Sequence, residues 1–167
     1  TFGSLEEKEY SLDEAKSLII NTLNVLGDDY ISKINRAFDE KWIDYLPNKG
    51  KRSGAYSSGG YGTNAFILTD FTGNYHDVST LIHELGHSMH TTYSCEAQDI
   101  IYSNYPIFVA EVASTTNELL LAKYMLKNSK NKNEKLSILQ QLLQLYASTM
   151  LRQTMFAEFE RDAYDLK

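Results

Sequence analysis

The 167-residue sequence is short of cysteine, proline and positive charge, with one Cys, two Pro, and 16 Lys and Arg set against 22 Asp and Glu. Cys95, alone, cannot form an intrachain disulfide, which fits a reducing, cytoplasmic setting. A net charge of −6 argues against a nucleic-acid partner, which needs a clustered basic surface. No apolar run approaches the roughly 18–20 residues of a bilayer span, so no membrane partner is expected. The opening Thr1-Phe2-Gly3-Ser4-Leu5 lacks a basic region followed by an apolar one and does not read as a signal peptide. It also lacks an initiator Met, so removal of an upstream part is expected. What is present points to a packed and largely helical body: 43% hydrophobic residues and 12 tyrosines.

Ser11-Leu12-Asp13-Glu14 reads as a capping box opening a helix that stops at Gly27. A second amphipathic helix is expected over residues 29–44, with Ile31, Ile34, Phe38 and Trp42 on its inner face. Between residues 47 and 75 glycines crowd the chain and helical periodicity disappears. Residues 54–57 and 65–68 look like two short antiparallel strands joined by the Gly59-Gly60-Tyr61-Gly62 loop. Further helices are expected over 78–93, 105–126 and 135–166, the last with Leu139, Leu142, Leu143, Tyr146, Met150 and Phe156 in the core.

His83-Glu84-Leu85-Gly86-His87 is an H-E-x-x-H motif, backed by the apolar stripe Val78, Ile82, Leu85 and Met89. On a helix the two histidines stand one turn apart on one face, where two imidazoles can converge on a metal. Glu84 is displaced sideways, where a carboxylate can take a proton from an activated water without ligating the ion. Two helical histidines can equally be surface or satisfied core residues.

Glu111 is a lone acid in the apolar run Ile107-Phe108-Val109-Ala110-Glu111-Val112-Ala113, and a carboxylate on a buried helix needs a metal or an Arg or Lys partner. Ser114, Thr115 and Glu118 share its face. Two His and one Glu, with water in the fourth position, make an open catalytic zinc set. Glu118 is open between a hydrogen bond to a ligand imidazole and an ordinary salt bridge, with Arg152 and Arg161 as candidate partners. His90 reads as a pocket-wall or core residue and His76 as a capping or surface residue.

Three stretches carry a family resemblance: residues 50–56 (Gly-Lys-Arg-Ser-Gly-Ala-Tyr), residues 77–90 around the motif, and Phe108-Val109-Ala110-Glu111-Val112-Ala113-Ser114-Thr115. Together they resemble oligoendopeptidase F, the bacterial branch of the thimet oligopeptidase family of zinc peptidases. The resemblance implies zinc on His83, His87 and Glu111, with Glu84 as general base and then proton donor. It implies short oligopeptide substrates cleaved internally, and an edge strand at Gly54, Ala55 and Tyr56 along which the substrate backbone lies. Relatives carry a large N-terminal helical region, and a C-terminal segment rich in His and Tyr that steadies the oxyanion. Neither is present here, so residues 1–167 are expected to be a single catalytic-core region, with the remainder of the enzyme as a further partner.

The expected fold is mainly α, a helical zinc-peptidase core with a small antiparallel β element at about 54–70. The leading functional expectation is a zinc metalloendopeptidase. The alternatives are a zinc aminopeptidase, for which the 54–70 segment offers only Asp70 as an amine anchor, and an inactive helical interaction module.

Overall fold

The computed structural model describes residues 8–166. It is mainly helical, with a small three-stranded sheet. Helix α1 (Leu12–Leu23) begins with the expected box: Ser11 Oγ accepts from the Glu14 N–H at 3.2 Å, and Glu14 Oε2 accepts from the Ser11 N–H at 2.8 Å. A single 3₁₀ turn, Asn24–Leu26, leads to Gly27 and to α2 (Asp28–Asp39).

Helix α2 is shorter than its periodicity suggests. Lys41 takes a left-handed φ of 58°, the helix ends, and Trp42 becomes a buried residue outside it. The next two residues form β1 (Ile43–Asp44), a strand too short to leave a sequence pattern. The anticipated hairpin is present as β2 (Tyr56–Ser58) and β3 (Phe66–Leu68), paired antiparallel with Ser57 opposite Ile67. β3 is central, flanked by β2 and by the parallel β1.

This register decides which way the edge of β2 faces. Ile67 N–H donates to the Trp42 carbonyl at 2.8 Å and Thr69 N–H to the Asp44 carbonyl at 3.0 Å, so these residues turn towards β1. Their neighbours Phe66 and Leu68 therefore ladder with Ser58 and Tyr56. The backbone groups of Ser57 point out of the sheet along its free edge.

Helix α3 (Tyr75–Ala97) starts earlier than its apolar stripe because Asn74 caps it. Asn74 Oδ1 accepts from the Asp77 N–H at 2.9 Å, and Asp77 Oδ2 accepts from the Thr72, Gly73 and Asn74 N–H groups. Val78, Leu81, Ile82, Leu85 and Met89 are buried with Ile19, Leu23, Ile34, Trp42 and Ile67, and Ser88 Oγ donates to the Ala65 carbonyl at 2.8 Å. Helix α4 (Ile107–Asn128) follows. No helix among the described residues is long and apolar enough to cross a membrane.

The chain divides into two compact units within α4, one up to Tyr124 and one from Met125. In the second, the long final helix is really α5 (Lys132–Tyr146) and α6 (Arg152–Asp165) joined by a widened π-turn, Ala147–Leu151. Ser148 and Thr149 hydroxyls both donate to the Leu145 carbonyl, competing with the regular ladder at that turn. The expected core packing there is not made: Leu139, Leu143, Tyr146, Met150 and Phe156 are 45–71% exposed. Periodicity identifies an apolar face but not what covers it.

Candidate metal centre

All the candidate site residues lie in the first unit, where α3 and α4 meet backbone to backbone. A Cβ built on Gly86 would fall 2.6 Å from the Ser114 Cα, so only glycine permits this approach. The approach sets the registers of the two helices. His83 and His87, one turn apart on α3, face Glu111 and Glu118 on α4.

Three ligand atoms converge. His83 Nε2 and His87 Nε2 are 3.1 Å apart, and Glu111 Oε2 lies 3.4 Å from each. In a tetrahedral zinc site with bonds of about 2.0–2.1 Å, ligand atoms stand about 3.3–3.4 Å apart. The triangle therefore has the size of one face of such a tetrahedron, and the donor set (two imidazoles, one carboxylate) is one that zinc accepts. Among the described residues Glu111 has no Lys or Arg partner, which removes the ion-pair alternative.

Glu111 is not on a buried face: its side chain is 62% exposed, and the flanking Ile107, Phe108 and Val112 are more than 60% exposed. Its partners are histidines because the Gly86–Ser114 contact brings α3 alongside, not because burial forces a pairing.

The structure places Glu118 against His83. Its Oε1 accepts from His83 Nδ1 at 2.5 Å, and Ser79 Oγ donates to Oε2 at 3.4 Å. With the Nδ1 proton committed to Glu118, the His83 Nε2 lone pair is free on the ligand side. Arg161 pairs instead with its neighbour Asp162. Burial pulls the His83 pKa down, but the Glu118 hydrogen bond and the charges of Glu118, Glu84 and Glu111 outweigh it and hold the pKa above the ordinary value. Burial dominates at His87 and lowers its pKa, which favours the neutral imidazole.

Glu84 is buried, at 6% exposed, beside the trio rather than within it. Burial is the largest influence on its carboxyl and raises its pKa. The backbone N–H of Ser57, on the free edge of β2, works against that shift by favouring the charged form, while Oε2 makes no hydrogen bond among the described residues. One oxygen of the acid is thus uncommitted.

A cavity of about 460 Å³ opens from His83, Glu84 and Glu118, along Ser79 and Thr80 of α3, to Gly54 and Ala55. Asp70 and the exposed His76 also line it. Asp70 lies 3.7 Å from Lys51 Nζ, a nearly buried ammonium that also binds Asp44 at 3.1 Å. His76 does not cap α3, since Asn74 does. His90 is a wall residue, its ring stacked on Tyr105 at 3.7 Å and lining a separate apolar groove. Tyr56, named with Gly54 and Ala55 for the edge, keeps its backbone in the ladder with Leu68, so the outward residue beyond Ala55 is Ser57.

Residues 9–167 match peptidase family M3. The chain belongs to this family. Over 148 residues, covering 89% of the chain and 22% of the relative, it is 49% identical to oligopeptidase PepF of Bacillus subtilis. Over 144 residues, covering 86% of the chain and 24% of the relative, it is 46% identical to the chromosomal oligoendopeptidase F of Lactococcus lactis subsp. cremoris. A solved structure from Chlamydophila abortus superposes with a TM-score of 0.87 at 45% identity, over 96% of this chain and 27% of that one. The chain spans about a quarter of the length of the curated relatives it matches. The resemblance to oligoendopeptidase F and the expected helical peptidase fold are both borne out.

Three features of the site escaped sequence reading. Ser57 contributes a backbone N–H, which leaves no mark in residue identity. In the sequence Ser114 shows only that it shares the Glu111 face, and Gly86 stands at a variable position of the motif. The small residue at that position was the available signal for a close helix contact.

Proposed function

We propose that this chain is the catalytic core of a zinc metalloendopeptidase that cleaves internal bonds of short oligopeptides. The observation that carries the reading is the 3.1–3.4 Å triangle of His83 Nε2, His87 Nε2 and Glu111 Oε2 beside a buried Glu84 with one unpartnered oxygen. These three residues would hold zinc, which when bound supplies Lewis-acid polarisation of a carbonyl and lowers the pKa of water to about 7.

The chain's own residues do the rest. Glu118 fixes the His83 tautomer, so that Nε2 faces the ion. The free Oε2 of Glu84 takes the proton of the attacking water and delivers it to the leaving amine. A raised carboxyl pKa suits that double role, because the acid form is then within reach after the proton is taken.

Substrate recognition follows from the sheet edge. Ala55 and the Ser57 carbonyl face outward beside the site, where an extended peptide can add as a further strand, and main-chain bonds of this kind accept many side chains. An aminopeptidase would need an acid for the substrate amine, and Asp70 already faces the Lys51 ammonium at 3.7 Å. Nothing in the net charge invites nucleic acid, and a cytoplasmic location is part of the same proposal.

The test is hydrolysis of an internally quenched peptide with a blocked N-terminus, by the zinc-loaded protein and its Glu84→Gln variant. Cleavage by the parent and not by the variant supports the reading. Turnover by the variant, or cleavage only of peptides with free N-termini, contradicts it.

A further inference from the structure

Glu111 presents a problem of its own. Its side chain is 62% exposed and has three rotatable bonds, and the flanking Ile107, Phe108 and Val112 are 86%, 90% and 63% exposed. Packing therefore does not fix the carboxylate, yet Oε2 stands equidistant from both imidazole nitrogens. A free acid of this kind would spread over several rotamers, and restricting it would cost binding energy whenever a metal arrived.

One group restrains it. Ser114, three residues on and therefore on the same helix face, is fully buried. Its Oγ lies 2.8 Å from Glu111 Oε2, the same oxygen that faces the histidines, and 3.1 Å from the Glu111 carbonyl. Ser114 is itself held, because its Cα lies against Gly86 where α3 and α4 touch. A rigid donor thus meets a flexible acceptor. The other acid of α4, Glu118, has only 15% of its side chain exposed and bonds to both His83 and Ser79, so it needs no equivalent brace.

We propose that Ser114 is a positioning residue, whose hydroxyl holds Glu111 Oε2 in the orientation that completes the three-ligand site. This rests on the metal-centre reading above. Ser114 does not touch the ion or the substrate. It acts through Glu111 by pre-organising the carboxylate before the metal binds.

The experiment uses the 167-residue chain with Zn²⁺ alone, its affinity measured by competition with a chromophoric chelator, and with Co²⁺ alone, followed by its d–d absorption. Four variants are compared: Ser114→Ala, Glu111→Ala, the double variant, and Ser88→Ala. Ser88 is an equally buried serine whose hydroxyl serves the Ala65 carbonyl and no proposed ligand, so its variant reports the effect of losing a buried hydroxyl bond. Ser114→Ala is expected to weaken Zn²⁺ binding by about 10–100-fold. It is also expected to change the Co²⁺ spectrum and to cost nothing further in the Glu111→Ala background, while Ser88→Ala leaves both readouts in place. Undiminished Zn²⁺ affinity in folded Ser114→Ala would overturn the proposal, as would an equal loss in both backgrounds. A folded parent chain that takes up no Zn²⁺ would overturn the metal-centre reading itself, a different failure from parent and Ser114→Ala binding alike.

Discussion

Gly86 and Ser114 stand so close that a Cβ on the glycine would lie 2.6 Å from the serine Cα and 2.8 Å from its backbone nitrogen. Everything proposed for the site depends on this contact, since it sets α3 against α4 and places the residues of one helix opposite those of the other. Gly86→Ala must push the helices apart, and overpacking of this kind costs about 1–3 kcal/mol. The expected result is a lower melting temperature together with a loss of zinc affinity larger than that of Ser114→Ala, measured by thermal melts and chelator competition.

Glu84→Gln separates binding from chemistry. Glu84 is not one of the three converging ligands, so zinc content is expected to stay at the parent level. Hydrolysis by the zinc-loaded protein should fall by at least about 10²–10⁴-fold, the usual contribution of a general base. Metal analysis beside single-turnover cleavage checks both halves.

Glu118→Ala tests the brace on His83. Without the carboxylate at 2.5 Å from Nδ1, the ring loses its fixed tautomer and orientation. Zinc affinity is expected to fall by about 10–100-fold with helical content unchanged, as read by chelator competition and circular dichroism.

In the proposed centre protons would compete with zinc at the same nitrogens, and the sign follows from His83. Its pKa is raised: burial opposes the charge, but the Glu118 bond and the surrounding carboxylates prevail. A ligand with a raised pKa keeps its proton to higher pH, so zinc affinity should begin to fall on acidification above the ordinary imidazole value of about 6.5. Glu118→Gln removes the largest favourable influence and should move that onset downward. Affinity measured across about pH 5.5 to 8 reads the shift.

Asn74→Ala provides a contrast remote from the proposed ligands. Loss of the cap on α3 costs about 1 kcal/mol, equivalent to a fall of about 2–4 °C in melting temperature for a chain of this size. Zinc stoichiometry should not change.

How much of this was legible in the residues depended on what carries each feature. The Ser11–Glu14 box, the β2–β3 hairpin and the motif helix left local signatures, and each is present. β1 left none, because two residues show no alternation and its pairing with β3 crosses more than twenty positions. The apolar composition of α4 suggests a buried face, but Phe108 is 90% exposed, because composition does not specify what covers a helix. Chemistry-bearing side chains such as His83, His87 and Glu111 were visible as residue types. The close approach that sets them opposite one another, the space left by Gly86, belongs to the backbone and appears only in three dimensions.

The most direct measurement is the zinc content of the folded 167-residue chain, with Glu111→Ala alongside. About one zinc per parent chain, lost or loosely held in the variant, is the predicted result for a three-ligand centre of this kind. No zinc in a folded parent chain after zinc is supplied, or full retention by Glu111→Ala, would contradict it.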